Sequence, residues 1–151
     1  MVIIELIEDL SNICLSYLEE EEKIYIKEEW DKFDKKFVCD IAAKHGWLDL
    51  LRWARENGSQ AKWDSWTCSF AAWNGHLETL KWARENGCEW NSATCSSAAL
   101  NGHLETLKWA RLNGCEWNSW TCAFAAHNDH LETLKWIKQN GCTYGGRYHK
   151  N

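Results

Sequence analysis

Residues 74–87 read NGHLETLKWARENG, residues 101–114 read NGHLETLKWARLNG, and residues 128–141 read NDHLETLKWIKQNG. A segment spelled three times at fixed spacing constrains the fold more than any other feature of this chain. Near-identical copies cannot each occupy a unique place in one globular core. They suit a stack of like units, each contacting its neighbours. Gly46, Gly75, Gly102 and Asp129 mark four units, in steps of 29, 27 and 27 residues. Catalysis needs one asymmetric arrangement of groups, so function is to be sought where the copies differ.

The chain of 151 residues has room for one domain or one short array. Its formal charge of −5 is unevenly spread. Residues 1–36 hold 11 acidic and 5 basic side chains, whereas residues 37–151 hold 11 acidic and 12 basic. A nearly neutral repeat region has no basic stripe, so no nucleic-acid partner is expected. The opening MVIIELIEDL lacks the basic start of a secretion signal and carries acids within its apolar stretch. No run approaches the ~20 apolar residues needed to span a bilayer. A soluble, cytoplasmic chain without a membrane partner is expected. Six of the eight cysteines keep the period: Cys68, Cys95 and Cys122 are 27 apart, as are Cys88, Cys115 and Cys142. Each therefore holds a fixed place in a unit, and reduced thiols acting as small apolar groups are predicted.

Each full unit opens with W-[DN]-S-x-T-C: WDSWTC at 63–68, WNSATC at 90–95, WNSWTC at 117–122. Asp64, Asn91 and Asn118 are good N-caps, because their side chains accept from free amides of a first helical turn. A short helix then runs to about residue 73, 100 or 127. A second helix starts at His76, His103 or His130 and ends near Asn86, Asn113 or Asn140, before a glycine that closes it. Glu78–Lys81, Glu105–Lys108 and Glu132–Lys135 are spaced to pair on its surface. No strand pattern interrupts the repeats. The prediction is all-α: a helix–turn–helix repeat solenoid over 37–144, in units 37–63, 64–90, 91–117 and 118–144. Residues 1–36 would form an N-terminal helical cap, and 145–151 a polar tail.

The run T-C-x-x-A-A-x-x-G-H-L-E, at 67–78 and 94–105, resembles the ankyrin-repeat core T-P-L-H-x-A-A-x-x-G-H-L-E. The period is shorter than the ~33 residues of ankyrin repeats, and the missing residues fall where an ankyrin unit makes its β-hairpin finger. Proline, usual in the first helical turn of that motif, is absent from the chain. The pattern is similar to the short, Trp-rich, finger-less ankyrin-like repeats found in giant viruses and some protists. A viral source would put the protein in host cytoplasm. The resemblance covers residues 37–144. It implies a non-enzymatic, protein-binding module, with a groove lined by the first helices of the units.

On a helical wheel, Cys68, Ala71 and Ala72 share one constant face of the first helix, with Cys95, Ala98, Ala99 and Cys122, Ala125, Ala126 as counterparts. That small face suits close packing on neighbours. The opposite face varies: Trp66, Ser69, Phe70, Trp73 in one unit; Ala93, Ser96, Ser97, Leu100 in the next; Trp120, Ala123, Phe124, His127 in the last. The degenerate first unit offers Phe37, Asp40, Ile41 and Lys44. The resemblance places Lys44, Trp66, Phe70, Trp73, Ser97, Leu100, Trp120, Phe124 and His127 in the partner-binding groove. Packing between units is an equal alternative for Phe70 and Phe124. Trp53, Trp82, Trp109, Trp136 and Trp63, Trp90, Trp117 are constant and are read as two structural ladders. The second helix is read as the stacking helix, held by Leu77, Leu80, Trp82 and Ala83.

No enzyme signal is found: no nucleophile elbow, phosphate loop or HExxH. His76, His103 and His130 recur identically, which favours a turn role in which imidazole bonds nearby backbone. The Cys88/Cys95 and Cys115/Cys122 pairs lack C-x-x-C spacing, so no metal and no cofactor are expected. Residues 7–33 resemble an F-box through Leu10, Ile13, Leu15, Tyr17, Leu18 and Trp30. The usual initial proline is missing and the interval to Trp30 is short. That reading would make the protein a substrate adaptor for a ubiquitin ligase; a plain helical cap is the simpler alternative. A monomeric, protein-binding solenoid is expected, with a structural, self-assembling component as a third reading.

Overall fold

A computed structural model describes residues 38–57 and 63–142. Residues 1–36, with the expected cap and F-box-like segment, lie outside the described residues, as do Phe37 and the tail 145–151. Eight α-helices and no strand occur among the described residues: α1 Val38–His45, α2 Leu48–Asn57, α3 Ser65–Trp73, α4 Leu77–Glu85, α5 Ser92–Leu100, α6 Leu104–Leu112, α7 Ser119–His127 and α8 Leu131–Gln139. They form four helix–turn–helix units, as the period predicts.

The unit begins where its cap residue stands. Asp64, Asn91 and Asn118 have extended backbones, and their side chains accept from the amides of Trp66, Ala93 and Trp120. Such a cap satisfies donors that a short helix would otherwise expose. Thr121 closes a full capping box on Asn118. The first helix ends in a left-handed turn: His76 N–H donates to Ala71 O at 2.9 Å and Gly75 N–H to Ala72 O at 3.2 Å. The second helix ends the same way, with Cys88 N–H on Ala83 O at 2.9 Å and Gly87 N–H on Arg84 O at 3.1 Å. This double bond pattern requires a positive φ at the residue after the cap. Gly75 and Gly87 supply it, at 73° and 83°.

Stacking is carried by the first helices. The closest approaches between units run α1 on α3, α3 on α5 and α5 on α7, while α2, α4, α6 and α8 each lie against the first helix of their own unit. This corrects the expectation that the constant second helix does the stacking. The reason is side-chain volume: only the small constant face lets helix axes come close. Cys39, Ala42, Ala43, Cys68, Ala71, Ala72, Cys95, Ala98 and Ala99 are fully buried and continue as one core. Leu51, Leu80, Leu107 and Ile137 come from the second helices into the same core.

A polar ladder also threads the first helices. Thr67 Oγ1 donates to Asp40 Oδ1 at 2.7 Å, and Ser69 and Thr94 hydroxyls lie 3.5 Å apart. Ser96 and Thr121 hydroxyls lie 3.1 Å apart. All six side chains are buried. Asp40, Ser69 and Ser96 therefore sit between units and not on the variable outer face where the wheel grouped them. Hydrogen bonding across each junction is what makes burial of these groups tolerable.

The constant tryptophans interlock instead of forming two separate ladders. Trp63 meets Trp82, Trp90 meets Trp109, and Trp117 meets Trp136 edge-on, with centroids 5.8–5.9 Å apart. Each pair joins the residue before a first helix to the second helix that follows it. Arg84 stands 4.3 Å over Trp90 and Arg111 stands 4.6 Å over Trp117. These rings are half-buried against the core. The ion pairs Lys81–Glu78 and Lys108–Glu105 close at 2.7 Å on the surface, where they contribute little.

Candidate partner-binding face

The variable side chains occupy one line along the row of first helices. The cap fixes the first of them, because the amides of Trp66 and Trp120 are held by Asp64 and Asn118. The last is fixed by the following unit. Asn101 Nδ2 donates to Trp73 O at 2.8 Å, and Asn128 Nδ2 to Leu100 O at 2.6 Å. The backbone beneath each end of the face is therefore pinned, while the side chains above it are free to differ.

Trp66 is 56% exposed, Trp73 45% and Trp120 62%. Lys44 and His127 are exposed too, and Ser97 and Leu100 are half-buried. Phe70 and Phe124 are half-buried, each beneath a tryptophan one turn earlier. The Trp66–Phe70 centroids are 5.9 Å apart and tilted 32°; Trp120–Phe124 repeat this at 5.7 Å and 32°. Between these two aromatic pairs the third unit has only Ala93 and Ser97. The result is two like aromatic ridges flanking a low saddle, with Trp73, Leu100 and His127 along one margin. No acidic side chain belongs to the set.

The remaining expected chemistry resolves into structural roles. His130 Nε2 lies 3.0 Å from Leu100 O, and the His76 ring bonds the carbonyl of Lys44. His76 and His130 thus bond the preceding unit, farther away than the local turn role predicted. Burial holds the His76 pKa below its ordinary 6.5. Cys39, Cys68, Cys88, Cys95 and Cys115 are free and buried, as expected. Burial pushes the Cys39 thiol up to about 12. A hydrogen bond with Cys88 and then burial raise Cys68, and the same causes, through Cys115, raise Cys95. A thiol kept protonated is a poor nucleophile. Cys122 and Cys142 depart from the expectation of free thiols: they are joined, with Cα atoms 6.5 Å apart. Within every complete unit the two cysteines are 20 residues apart and the turn after the second helix lies against the first helix, with Cys68 Sγ 4.0 Å from Cys88 O and Cys95 Sγ 3.8 Å from Cys115 O.

Among the described residues no group of three or more His, Cys, Asp and Glu is placed to hold a metal ion. None of their helices is long and apolar enough to cross a membrane. The junction ladder is what the sequence reading missed. Its signal was present: a Thr before the first Cys of each complete unit, and an acid or hydroxyl after the first cysteine in the first three units.

Comparison with known proteins agrees with this architecture. A family model described as ankyrin repeats (many copies) matches residues 39–84, from α1 through most of α4. No curated protein matches the chain. Ankyrin repeats are generally protein–protein interaction modules and typically not enzymes. Helix–turn–helix units stacked through their first helices, together with the family match, make this chain an ankyrin-repeat-like protein.

Proposed function

We propose that the chain binds a protein partner, without catalysing a reaction, through the outer face of its first helices. Lys44, Trp66, Phe70, Trp73, Ser97, Leu100, Trp120, Phe124 and His127 form the contact set. The observation that carries this reading is the exposure of Trp66, Trp73 and Trp120 along one line. Large exposed apolar side chains cost solubility, and tryptophan is the residue most enriched among those that dominate binding energy. The variation supports the same reading. Most residues that hold the stack are constant from unit to unit, whereas these exposed ones differ, as a surface matched to one asymmetric partner requires. With Lys44 as its one full charge, the face points to apolar and hydrogen-bonding contacts, with little long-range steering by charge.

The test is affinity capture from the source cell with three baits: wild type, the Trp66→Ala/Trp73→Ala/Trp120→Ala triple variant, and Leu112→Ala. Leu112 is 82% exposed on the second helix of its unit and serves as the off-face control. The expected result is a partner shared by wild type and Leu112→Ala and reduced at least tenfold with the triple variant, equivalent to ~1.4 kcal/mol. Equal recovery by all three baits would remove the face from the account.

A further inference from the structure

The three junctions between units are built alike, and the fourth unit departs from that pattern at two of the positions that a following unit would meet. At each junction the histidine that starts a second helix lies over the turn glycine of the preceding unit. A Cβ placed on Gly46, Gly75 or Gly102 would lie 2.5–2.6 Å from Nδ1 of His76, His103 or His130. The glycine is therefore required twice: for its positive φ and for the ring that covers it. The fourth unit carries Asp129 at this place, in the same left-handed conformation, with φ 56°. Its Cβ points where the ring of a following histidine would have to sit.

The polar ladder changes at the same end. Asp40, Ser69 and Ser96 meet Thr67, Thr94 and Thr121 of the following unit. The fourth unit has Ala123 at this position. A threonine arriving in register would be buried against a methyl group and lose its partner. Other junction groups keep their form. Ser119, for one, matches Ser65 and Ser92, which accept from Asn91 and Asn118 of the following units. The two departures fall at the two positions where docking demands a missing side chain or a polar one.

The surrounding edge has not been made polar. Ala126 is exposed where Ala72 and Ala99 are fully buried, and Leu131 is 72% exposed. A terminal unit of unchanged repeat sequence would present a ready surface for another unit, and head-to-tail contacts of that kind extend into open filaments. The geometry points to Ala123 and Asp129 as stop residues, which close the C-terminal face of the fourth unit to a further repeat docking in register, including the repeat of a second copy. This weighs against an end-to-end self-assembling role.

The test uses the full chain with a copy of residues 91–117 inserted after residue 144. The insertion is made in wild type and in an Ala123→Ser/Asp129→Gly background. Both replacements occur at equivalent positions in other units, so the double variant retains the local geometry. In the wild-type background the added unit should leave the melting midpoint unchanged. In the double-variant background it should raise the midpoint by ~5 °C and add helical ellipticity in proportion to its length. A rise in both backgrounds, or in neither, would overturn the assignment. The converse transplant is Ser96→Ala/Gly102→Asp. It should speed amide exchange at least tenfold in α7 and α8, relative to α1–α4. Unchanged protection of α7 and α8 would count equally against the stop.

Discussion

Gly102 and Gly87 both have positive φ, at 71° and 83°, yet they differ in what surrounds them. A Cβ on Gly102 would meet the His130 ring at 2.5 Å, whereas a Cβ on Gly87 would meet nothing within 4 Å. Gly87→Ala should cost only the left-handed penalty of roughly 1–2 kcal/mol. Gly102→Ala adds displacement of the ring and should cost roughly 3 kcal/mol, which denaturant titration of both variants would measure. Equal costs would remove the ring-over-glycine contact from the account. His76, which covers Gly46 in the same way, predicts a pH response. The ring is half-buried, and that burial holds its pKa below the ordinary 6.5, so the folded state favours the neutral ring. The unfolded chain takes up the proton first as pH falls. The stability that His76 contributes is thus complete above 6.5 and is lost as pH drops from there through the folded pKa. Melting midpoints should fall between pH 7.5 and 5, and His76→Gln should flatten that slope. The Gly–His period was visible in the sequence. Its cause was not, because spacing cannot say that a histidine covers the glycine of the unit before its own.

The elements divide their work by side-chain volume. First helices stack because Cys, Ala and Thr let them approach, and their buried polar ladder fixes register. Thr67→Val removes a 2.7 Å bond to a buried carboxylate and should destabilise by roughly 1.5–3 kcal/mol. A loss below ~0.5 kcal/mol, the range of ordinary surface changes, would show that the ladder is incidental. Each of the last three second helices is tied to the segment before its first helix through a tryptophan pair. A double-mutant cycle on Trp90 and Trp109, whose centroids are 5.8 Å apart, should return a coupling of ~0.5–1.5 kcal/mol. Helix positions and caps were legible, since Asp64, Asn91, Asn118 and the closing glycines are local signals. The ladder was less so. A wheel assigns angles about one axis, and it grouped Ser69 and Ser96 with the outward residues. Their partners, Thr94 and Thr121, belong to the next helix and cannot be seen from one helix alone.

At the scale of the whole molecule the stack is held by the recurring small residues and by the junction groups Asp40, Ser69 and Ser96, and the proposed contact face is made of side chains that differ between units. That division was readable only in part from the repeats: most of what recurs is packing, but the varying Asp40, Ser69 and Ser96 belong to the junctions as well. The choice between groove and interior for Phe70 and Phe124 was not readable, and both are half-buried beneath exposed tryptophans. Trp73 and Trp109 put the central claim to the most direct test, since they are the same residue type with opposite assignments. Trp109 is half-buried in an edge-on pair with Trp90, and Trp73 is 45% exposed on the outer face. Thermal melts of Trp109→Ala and Trp73→Ala should give a fall of ~10 °C for the first and less than ~2 °C for the second. Equal falls in the two variants would contradict the separation of scaffold from binding face.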